Sequence, residues 1–207
     1  MKTFTTEKGI EIRIPENMGE ITVNQFVSLQ EINPENVESY EKVIEKMCKI
    51  NPKELSFNDF IQISLLLAQG IATNTKKSFQ KEIIIDGDTY TAKDLKDFST
   101  REFIDFETIA IGEEPNKIQT LLALIYQEKE QEGEYVEAVR KRADIFGEKL
   151  DAETATAALS FFSKSLLLYV KDTLVCSEAA KKQMETNPKL KEAVEQLEAL
   201  FGGGGGL

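Results

Sequence analysis

Apolar and polar residues follow two different periods along this chain, one typical of strands and one typical of helices. Residues 10–14 read Ile-Glu-Ile-Arg-Ile, so one face of a strand is expected to be buried and the other to meet water. Residues 3–6 supply a partner strand, and Pro15 ends the ladder because proline donates no backbone hydrogen bond. At residues 83–90, Asp-Gly separates two further short segments of strand character. Two hairpins are therefore predicted.

Most of the remaining chain shows the apolar spacing of amphipathic helices. The predicted helices cover residues 22–32, 35–50, 56–70, 99–111, 116–130, 134–149 and 152–175, with a weaker helix after Asn187-Pro188. In the second helix, the stripe expected to face the core is Val37, Tyr40, Val43, Ile44 and Met47. The third helix is strongly apolar, through Ile61, Ile63, Leu65, Leu66 and Leu67.

A helix-start motif occurs at residues 22–27, 56–61 and 99–104. Each copy begins with Thr or Ser, has Gln, Asp or Glu three residues later, and continues with Phe and a branched apolar residue. The hydroxyl can accept the backbone N–H three residues on, while a Gln or Glu side chain reaches back to the N–H of the cap residue. Asp59 is a shorter and poorer version of that second partner. The motif predicts three helix starts, and the apolar residues that follow are expected to begin a buried stripe.

The first and third copies of this motif lie within a longer similarity. Placing Thr22 on Ser99 also places Gln25 on Glu102, and both segments then show a hairpin, a capped helix, a break containing proline and a second helix. An internal duplication explains this similarity, and the alternative is chance recurrence of a common capping motif. If the halves are duplicated, the two hairpins are expected to share one small antiparallel sheet with helices packed on one side.

These patterns predict an α+β fold that is mainly helical, with two duplicated units of β-hairpin and helices followed by a C-terminal helical region. The first unit is expected at residues 1–72, and the second at residues 79–131, packed with the first. Residues 133–201 are predicted to form the C-terminal helices, one of them capped by Asp151. Residues 202–207 are expected to be a disordered glycine tail, because glycine loses the most conformational freedom on ordering.

The composition of the 207 residues narrows the classes of function. A net charge of −11 argues against nucleic acid and anionic membranes as partners, because both would repel the chain, and it favours a basic protein partner or solubility. No histidine is present, so the commonest general base and metal ligand is missing. The longest apolar run, around residues 159–175, is interrupted by charges, and the first residues lack the apolar core of a signal peptide. A soluble, intracellular protein is expected.

The residues that could form a reactive or ligand-binding site have structural explanations. Cys48 and Cys176 are predicted to be buried free thiols, with a disulfide between them as the alternative. Residues 86–88, Asp-Gly-Asp, indicate a turn, because the further oxygen ligands of a calcium loop are missing. Acidic residues between 128 and 134 lie at expected solvated helix ends, and Arg-Lys-Arg at 140–142 predicts a salt-bridged helix surface first and a partner site second. No catalytic, cofactor or metal site is predicted.

The last predicted helix is the candidate for binding another protein. Its apolar stripe follows a proline break and precedes the glycine tail, and it consists of Leu190, Val194, Leu197, Leu200 and Phe201. Such a helix can dock on the body of its own chain or can meet another protein. These residues are the predicted partner-binding residues.

The order of elements resembles small virion-assembly proteins of tailed bacteriophages, a group that includes tail assembly chaperones and small structural proteins. The resemblance covers about residues 10–176 and rests on the hairpin, the capped helix at 22–30, the helix that ends in residues 121–126, and the Phe161-Phe162 helix after an arginine-rich segment. It implies no catalytic residue and no cofactor. The length of 207 residues and the duplication depart from the shorter usual chaperone.

The resemblance implies a non-enzymatic assembly protein that holds a helical partner, such as a tape-measure protein, in the host cytoplasm. The acidic surface would keep such a complex soluble. The alternative is a virion structural component, for example a ring, adaptor or cargo protein of the head–tail region. A third possibility, from another class, is a hydrolase with acidic residues, which requires two carboxylates with displaced pKa values in one pocket. Self-association is compatible with either phage role.

Overall fold

The structure is a computed structural model, and it describes residues 1–33, 36–70, 77–112, 114–128 and 134–175. Side chains are described within these ranges except at 68–70 and 167–175. The elements in chain order are β1 (Lys2–Thr5), β2 (Glu11–Ile14), α1 (Val23–Gln30), α2 (Val37–Cys48), α3 (Phe57–Gly70), β3 (Glu82–Ile85), β4 (Asp88–Ala92), α4 (Thr100–Ile111), α5 (Lys117–Ile125), β5 (Tyr126–Glu128), α6 (Tyr135–Lys149) and α7 (Ala152–Val175).

Helices predominate in the described part of the chain, and two small antiparallel sheets accompany them, so the predicted mainly helical α+β class is confirmed. The chain divides into two compact units. The first is Met1–Lys76 with Ile145–Thr154, and the second is Lys77–Asp144 with the chain from Ala155 onward. Of the region predicted as C-terminal helices, 133–201, the described residues 134–175 are therefore divided between the two units.

The core of the first unit forms between one face of the β1–β2 hairpin and the helices α2 and α3. In the hairpin, Lys2 lies opposite Ile14, and Ile12 and Ile14 are buried. They belong to a cluster with Ile44 of α2 and Ile63 of α3. The alternation of residues 10–14 therefore predicted the buried face of β2, because side chains of a strand point alternately to opposite sides.

Outside α3, two residues of this unit that were predicted to be buried are exposed. Ile10 is 37% exposed because it lies before the first residue of β2, outside the paired register. Val37 is 64% exposed because it is the first residue of α2, before the helix meets the core at Val43 and Ile44. In both cases the predicted apolar stripe includes a residue outside the part of the element that packs on the core.

The three predicted helix starts are present, but they differ in their hydrogen bonds. Thr22 and Ser99 form complete capping boxes, in which Gln25 and Glu102 reach back to the N–H of the cap residue. Ser56 also accepts the N–H of Asp59, at 3.2 Å. The shorter Asp59 side chain instead accepts the Ser56 hydroxyl and turns to a different backbone group, described below.

Two backbone hydrogen bonds attach residues 145–154 to the rest of the first unit. Val23 donates its N–H to the Leu150 carbonyl at 3.0 Å, and Ala152 donates to the Ile21 carbonyl at 2.9 Å. Asp151, as predicted, caps α7 by accepting the N–H of Thr154 at 2.9 Å. The start of α1 and the start of α7 are therefore fixed to each other.

The second unit is built on a three-stranded sheet in the order β3–β4–β5. The Asp86-Gly87 turn is confirmed, since both residues have positive φ, as a tight hairpin turn requires. The prediction that the helix continues to residue 130 is wrong, because the strand β5 begins at Tyr126. The helix α5 ends at Ile125, and Tyr126 pairs with Ala92 of β4 while its hydroxyl donates to the Gln80 carbonyl.

The expectation that both hairpins share one sheet is wrong, since β1–β2 and β3–β4–β5 are separate sheets. The order hairpin, 3-10 turn, capped helix and second helix nevertheless recurs, with 3-10 helices at Met18–Glu20 and Leu95–Asp97. This recurrence is compatible with internal duplication, which stays a prediction. Among the described helices, none is long and apolar enough to cross a membrane.

Candidate functional site

The solvent-facing side of α3 presents three large apolar side chains and no charged residue. Phe57 is 79% exposed, Ile61 is 41% exposed and Leu65 is 55% exposed. They are spaced four residues apart, so they lie one above the other along one side of the helix. The exposed residues beside them are Asn58 and Gln62, both uncharged. These five residues are called the α3 face below.

The opposite side of α3 packs on the core of the first unit. Ile63 and Leu67 are buried in the core of the first unit, and Phe60 packs against that core. Asp59, the sole charged residue between Phe57 and Gly70, is also buried. Adjacent large apolar side chains are normally covered, so the row of Phe57, Ile61 and Leu65 on the outer side of α3 indicates a surface for another molecule.

The neighbouring helix α2 shows what an ordinary exposed surface of this protein looks like. Its exposed residues include Glu38, Lys42, Glu45 and Lys46. Val37 stands among them as a single exposed apolar residue, which is common on protein surfaces and needs no partner. The α3 face differs because three large apolar residues are adjacent and no charge separates them.

Contacts with the first hairpin hold the N-terminal end of α3 in place. The backbone N–H of Glu7, in the β1–β2 turn, lies 3.2 Å from each carboxylate oxygen of Asp59. Asn58 donates from Nδ2 to the Glu7 carboxylate at 3.2 Å. Lys8 donates from Nζ to the Glu54 carbonyl at 2.6 Å, just before the helix. The end of the helix that presents Phe57 is therefore anchored rather than free.

The second unit contains a cavity of about 440 Å³ between α4, α5 and the first part of α6. Apolar side chains such as Ile109 and Val139 line it, together with charged groups of both signs. The guanidinium of Arg101 lies 4.6 Å from the centre of the Tyr135 ring, a cation–π contact. Burial, and then the nearby Asp105, raise the pKa of the Tyr135 hydroxyl, so this phenol is neutral at pH 7.

A polar cluster in the second unit joins α4 to the sheet. Lys93 donates from Nζ to both carboxylate oxygens of Glu102, at 2.9 and 2.8 Å, and Gln127 donates to the same carboxylate at 2.7 Å. Burial alone would raise the pKa of Glu102, but the hydrogen bonds from Lys93, Gln127 and Ser99 lower it to about 2. A carboxylate held so firmly in its charged form is a fixed structural anion and a poor proton carrier near pH 7.

The predicted basic surface at residues 140–142 is wrong for Arg142. This residue is 2% exposed, and its Nε donates to the Ala123 carbonyl at 3.1 Å. Burial lowers the pKa of its guanidinium. Arg140, which lines the cavity, and Lys141 are both exposed, so Arg142 is the buried member of the three.

The structure describes only some of the other residues that were predicted to form sites. The residues predicted to bind a partner lie outside the described residues; they are Leu190, Val194, Leu197, Leu200 and Phe201. Cys176 also lies outside them, so the prediction of two free thiols is tested only at Cys48, which is free and partly buried. Burial raises the pKa of the Cys48 thiol to about 11. Within the described ranges, no three of the residues His, Cys, Asp and Glu are grouped so that they could hold a metal ion.

The α3 face was missed from the sequence because its helical spacing predicted core. The available signal was the near absence of charge over residues 57–70, which gives the helix more apolar surface than one core contact can cover. Comparison with protein-family models, with curated proteins and with solved structures gives no match. Function is therefore inferred from the residues themselves.

Proposed function

We propose that this chain is a non-enzymatic assembly protein of a tailed bacteriophage, acting as a tail assembly chaperone. It binds an aggregation-prone helical protein, such as a tape-measure protein, and keeps it soluble until assembly. The α3 face is the observation that carries the proposal, because it offers an anchored apolar surface with no charge on it. The resemblance of the element order to virion-assembly proteins supplies the phage context.

The α3 face suits a partner helix. Phe57 and Leu65 are two turns apart, which is about 12 Å along the helix axis. A partner helix with large apolar residues at every third or fourth position could lie along this row and cover it. The net charge of −11 then keeps the complex in solution, since like-charged complexes repel one another.

Co-expression with the product of a long, helix-rich reading frame from the same phage tests this function. The soluble fraction of that product is expected to rise when the wild-type chain is present. Phe57→Ser combined with Leu65→Ser is expected to abolish this rise, whereas Val37→Ser, which removes an isolated exposed residue, is expected to leave it intact. No rise with the wild-type chain, or an equal rise with the double variant, contradicts the proposal.

Mass spectrometry of purified phage particles separates the chaperone from a virion structural component. A chaperone is absent from finished particles, whereas a ring, adaptor or cargo protein is present in fixed copy number. Affinity capture from infected cells, with and without residues 188–207, tests the predicted terminal stripe separately. Equal recovery of the same partners by both chains would remove that stripe from the proposal.

A further inference from the structure

We infer that the α3 face of one copy pairs with the α3 face of a second copy, across a two-fold axis beside Ile61. The inference depends on the exposed residues of α3 and stands without the proposed function. If the proposed function also holds, the second copy covers the face until the partner replaces it.

The charge distribution favours a second copy as the occupant. Each chain carries a net charge of −11, so two copies repel, and the repulsion is smallest at a contact whose own residues carry no negative charge. The five exposed residues of the α3 face are uncharged, and Asp59 is buried. The exposed Glu7 carboxylate accepts from Asn58 at one end of the face, and in an antiparallel pair the two Glu7 side chains lie at opposite ends of the contact. On α2, by contrast, a self-contact would bury charged residues of both signs, such as Glu38 and Lys42, and removing them from water is costly.

The spacing of the α3 face is also self-complementary. Phe57 and Leu65 lie four residues before and four residues after Ile61. In an antiparallel pair of α3 helices, Phe57 of each copy therefore meets Leu65 of the other, and Ile61 meets its own copy on the axis. This is the isologous arrangement of two-fold dimers, in which the same patch serves both subunits.

The size of the α3 face sets the strength of the contact. From their exposed fractions, the three apolar side chains offer an area on the order of 300 Å² per copy. A standard stable interface buries about 800 Å² per partner, so only a weak dimer, which forms at high protein concentration, is expected. Such a weak dimer protects the face in the free protein and still releases it to a competing partner.

Sedimentation velocity of the full chain, from low to high micromolar concentration, tests the inference with no partner present. The wild-type chain is expected to shift from monomer to dimer over this range. Phe57→Glu alone and Leu65→Lys alone are each expected to weaken dimerisation by at least about tenfold, because each places a charge against an apolar residue. Val37→Glu, the matched control on α2, is expected to dimerise like the wild type.

Mixing the two charged variants tests the antiparallel arrangement. A mixture of Phe57→Glu and Leu65→Lys chains is expected to recover dimer, because the introduced acid of one copy meets the introduced base of the other. A mixture of Phe57→Glu and Phe57→Lys chains is expected to stay monomeric. Far-ultraviolet circular dichroism of each variant checks that the helices are retained.

Three outcomes overturn the inference: a wild-type chain that is monomeric throughout, single variants that dimerise normally, and recovery by the two Phe57 variants instead of the antiparallel pair. In the first case the face serves another protein, and in the last the helices are parallel. None of these results bears on the co-expression experiment, which measures the solubility of a partner. Failure of the dimer and failure of the proposed function can therefore be told apart.

Discussion

The carboxylate of Asp59 accepts the backbone N–H of Glu7, with each of its oxygens 3.2 Å from that nitrogen. The contact joins the first turn of α3 to the turn of the β1–β2 hairpin. It is made possible by the short Asp side chain, which does not complete the capping box that Gln25 and Glu102 complete elsewhere. A departure from the repeated motif therefore fixes the helix that carries the α3 face.

Asp59→Ala is expected to destabilise the fold by about 1–3 kcal/mol, because the N–H of Glu7 and the hydroxyl of Ser56 lose a charged acceptor in a buried setting. Urea denaturation followed by circular dichroism measures the change. Asn58→Ala is the control, since Asn58 is exposed and loses only one side-chain hydrogen bond to Glu7. Equal urea midpoints for the two variants would show that the buried Asp59 contact stabilises the fold no more than the exposed Asn58 contact does.

The two sides of α3 are expected to respond very differently to truncation. Ile63→Ala removes a fully buried side chain and is expected to cost about 2–5 kcal/mol of unfolding free energy. Ile61→Ala, two residues earlier on the exposed side, is expected to cost less than about 1 kcal/mol. Denaturation of both variants, at concentrations where the chain is monomeric, compares the two losses of unfolding free energy. Similar losses would mean that the exposed side is covered within one chain.

The pKa of Glu102 predicts a pH dependence of stability. Its folded pKa of about 2 lies below the ordinary value of 4.5, so its carboxylate stabilises the fold above about pH 4.5, and this contribution is lost as pH falls towards 2. Glu102→Gln is expected to be less stable than the wild type by about 2–3 kcal/mol at pH 7, and the difference is expected to shrink as pH falls. Urea denaturation at several pH values measures this difference.

Glutamine is a suitable replacement at position 102 because Gln25 makes the same capping box on α1, so the cap can be retained while the charge is removed. Glu107→Gln is the matched control, since Glu107 is an exposed acid on the same helix. It is expected to follow the wild type at every pH. A constant gap between wild type and Glu102→Gln from pH 7 to pH 2 would show that the ion pair with Lys93 is not the cause.

Arg142→Ala is expected to destabilise the chain by about 3–5 kcal/mol, because it leaves the Ala123 carbonyl without a donor and opens a cavity in a buried region. Lys141→Ala, at the exposed neighbouring position, is expected to change stability by less than about 0.5 kcal/mol. Thermal unfolding of both variants makes the comparison. Equal melting temperatures would place Arg142 at the surface after all.

Cys48 is expected to react slowly with thiol reagents at pH 8, because burial holds its pKa at about 11 and leaves little thiolate. Its labelling should accelerate strongly in urea, where the thiol is exposed. Mass spectrometry of peptides after labelling distinguishes Cys48 from Cys176. Fast labelling of native Cys48 would contradict its burial in the first unit.

Local chemistry made several features readable from the sequence. The starts of α1, α4 and α7 followed from Thr22, Ser99 and Asp151, because a cap bonds to backbone only three residues away. The Asp86-Gly87 turn followed from the need for positive φ. β5 could not be predicted from local sequence, because it forms through the pairing of Tyr126 with Ala92, which is distant in sequence.

The sequence by itself determined where most helices and turns begin, since caps, alternation and turn residues act over a few neighbouring positions. Only the tertiary structure decided which apolar positions are covered: Ile63 is buried and Ile61 is exposed, although both belong to the same apolar run. It also decided that Arg142 is buried beside the Ala123 carbonyl. The physical reason is that burial depends on which distant segments pack against a residue, and periodicity within one helix does not specify them.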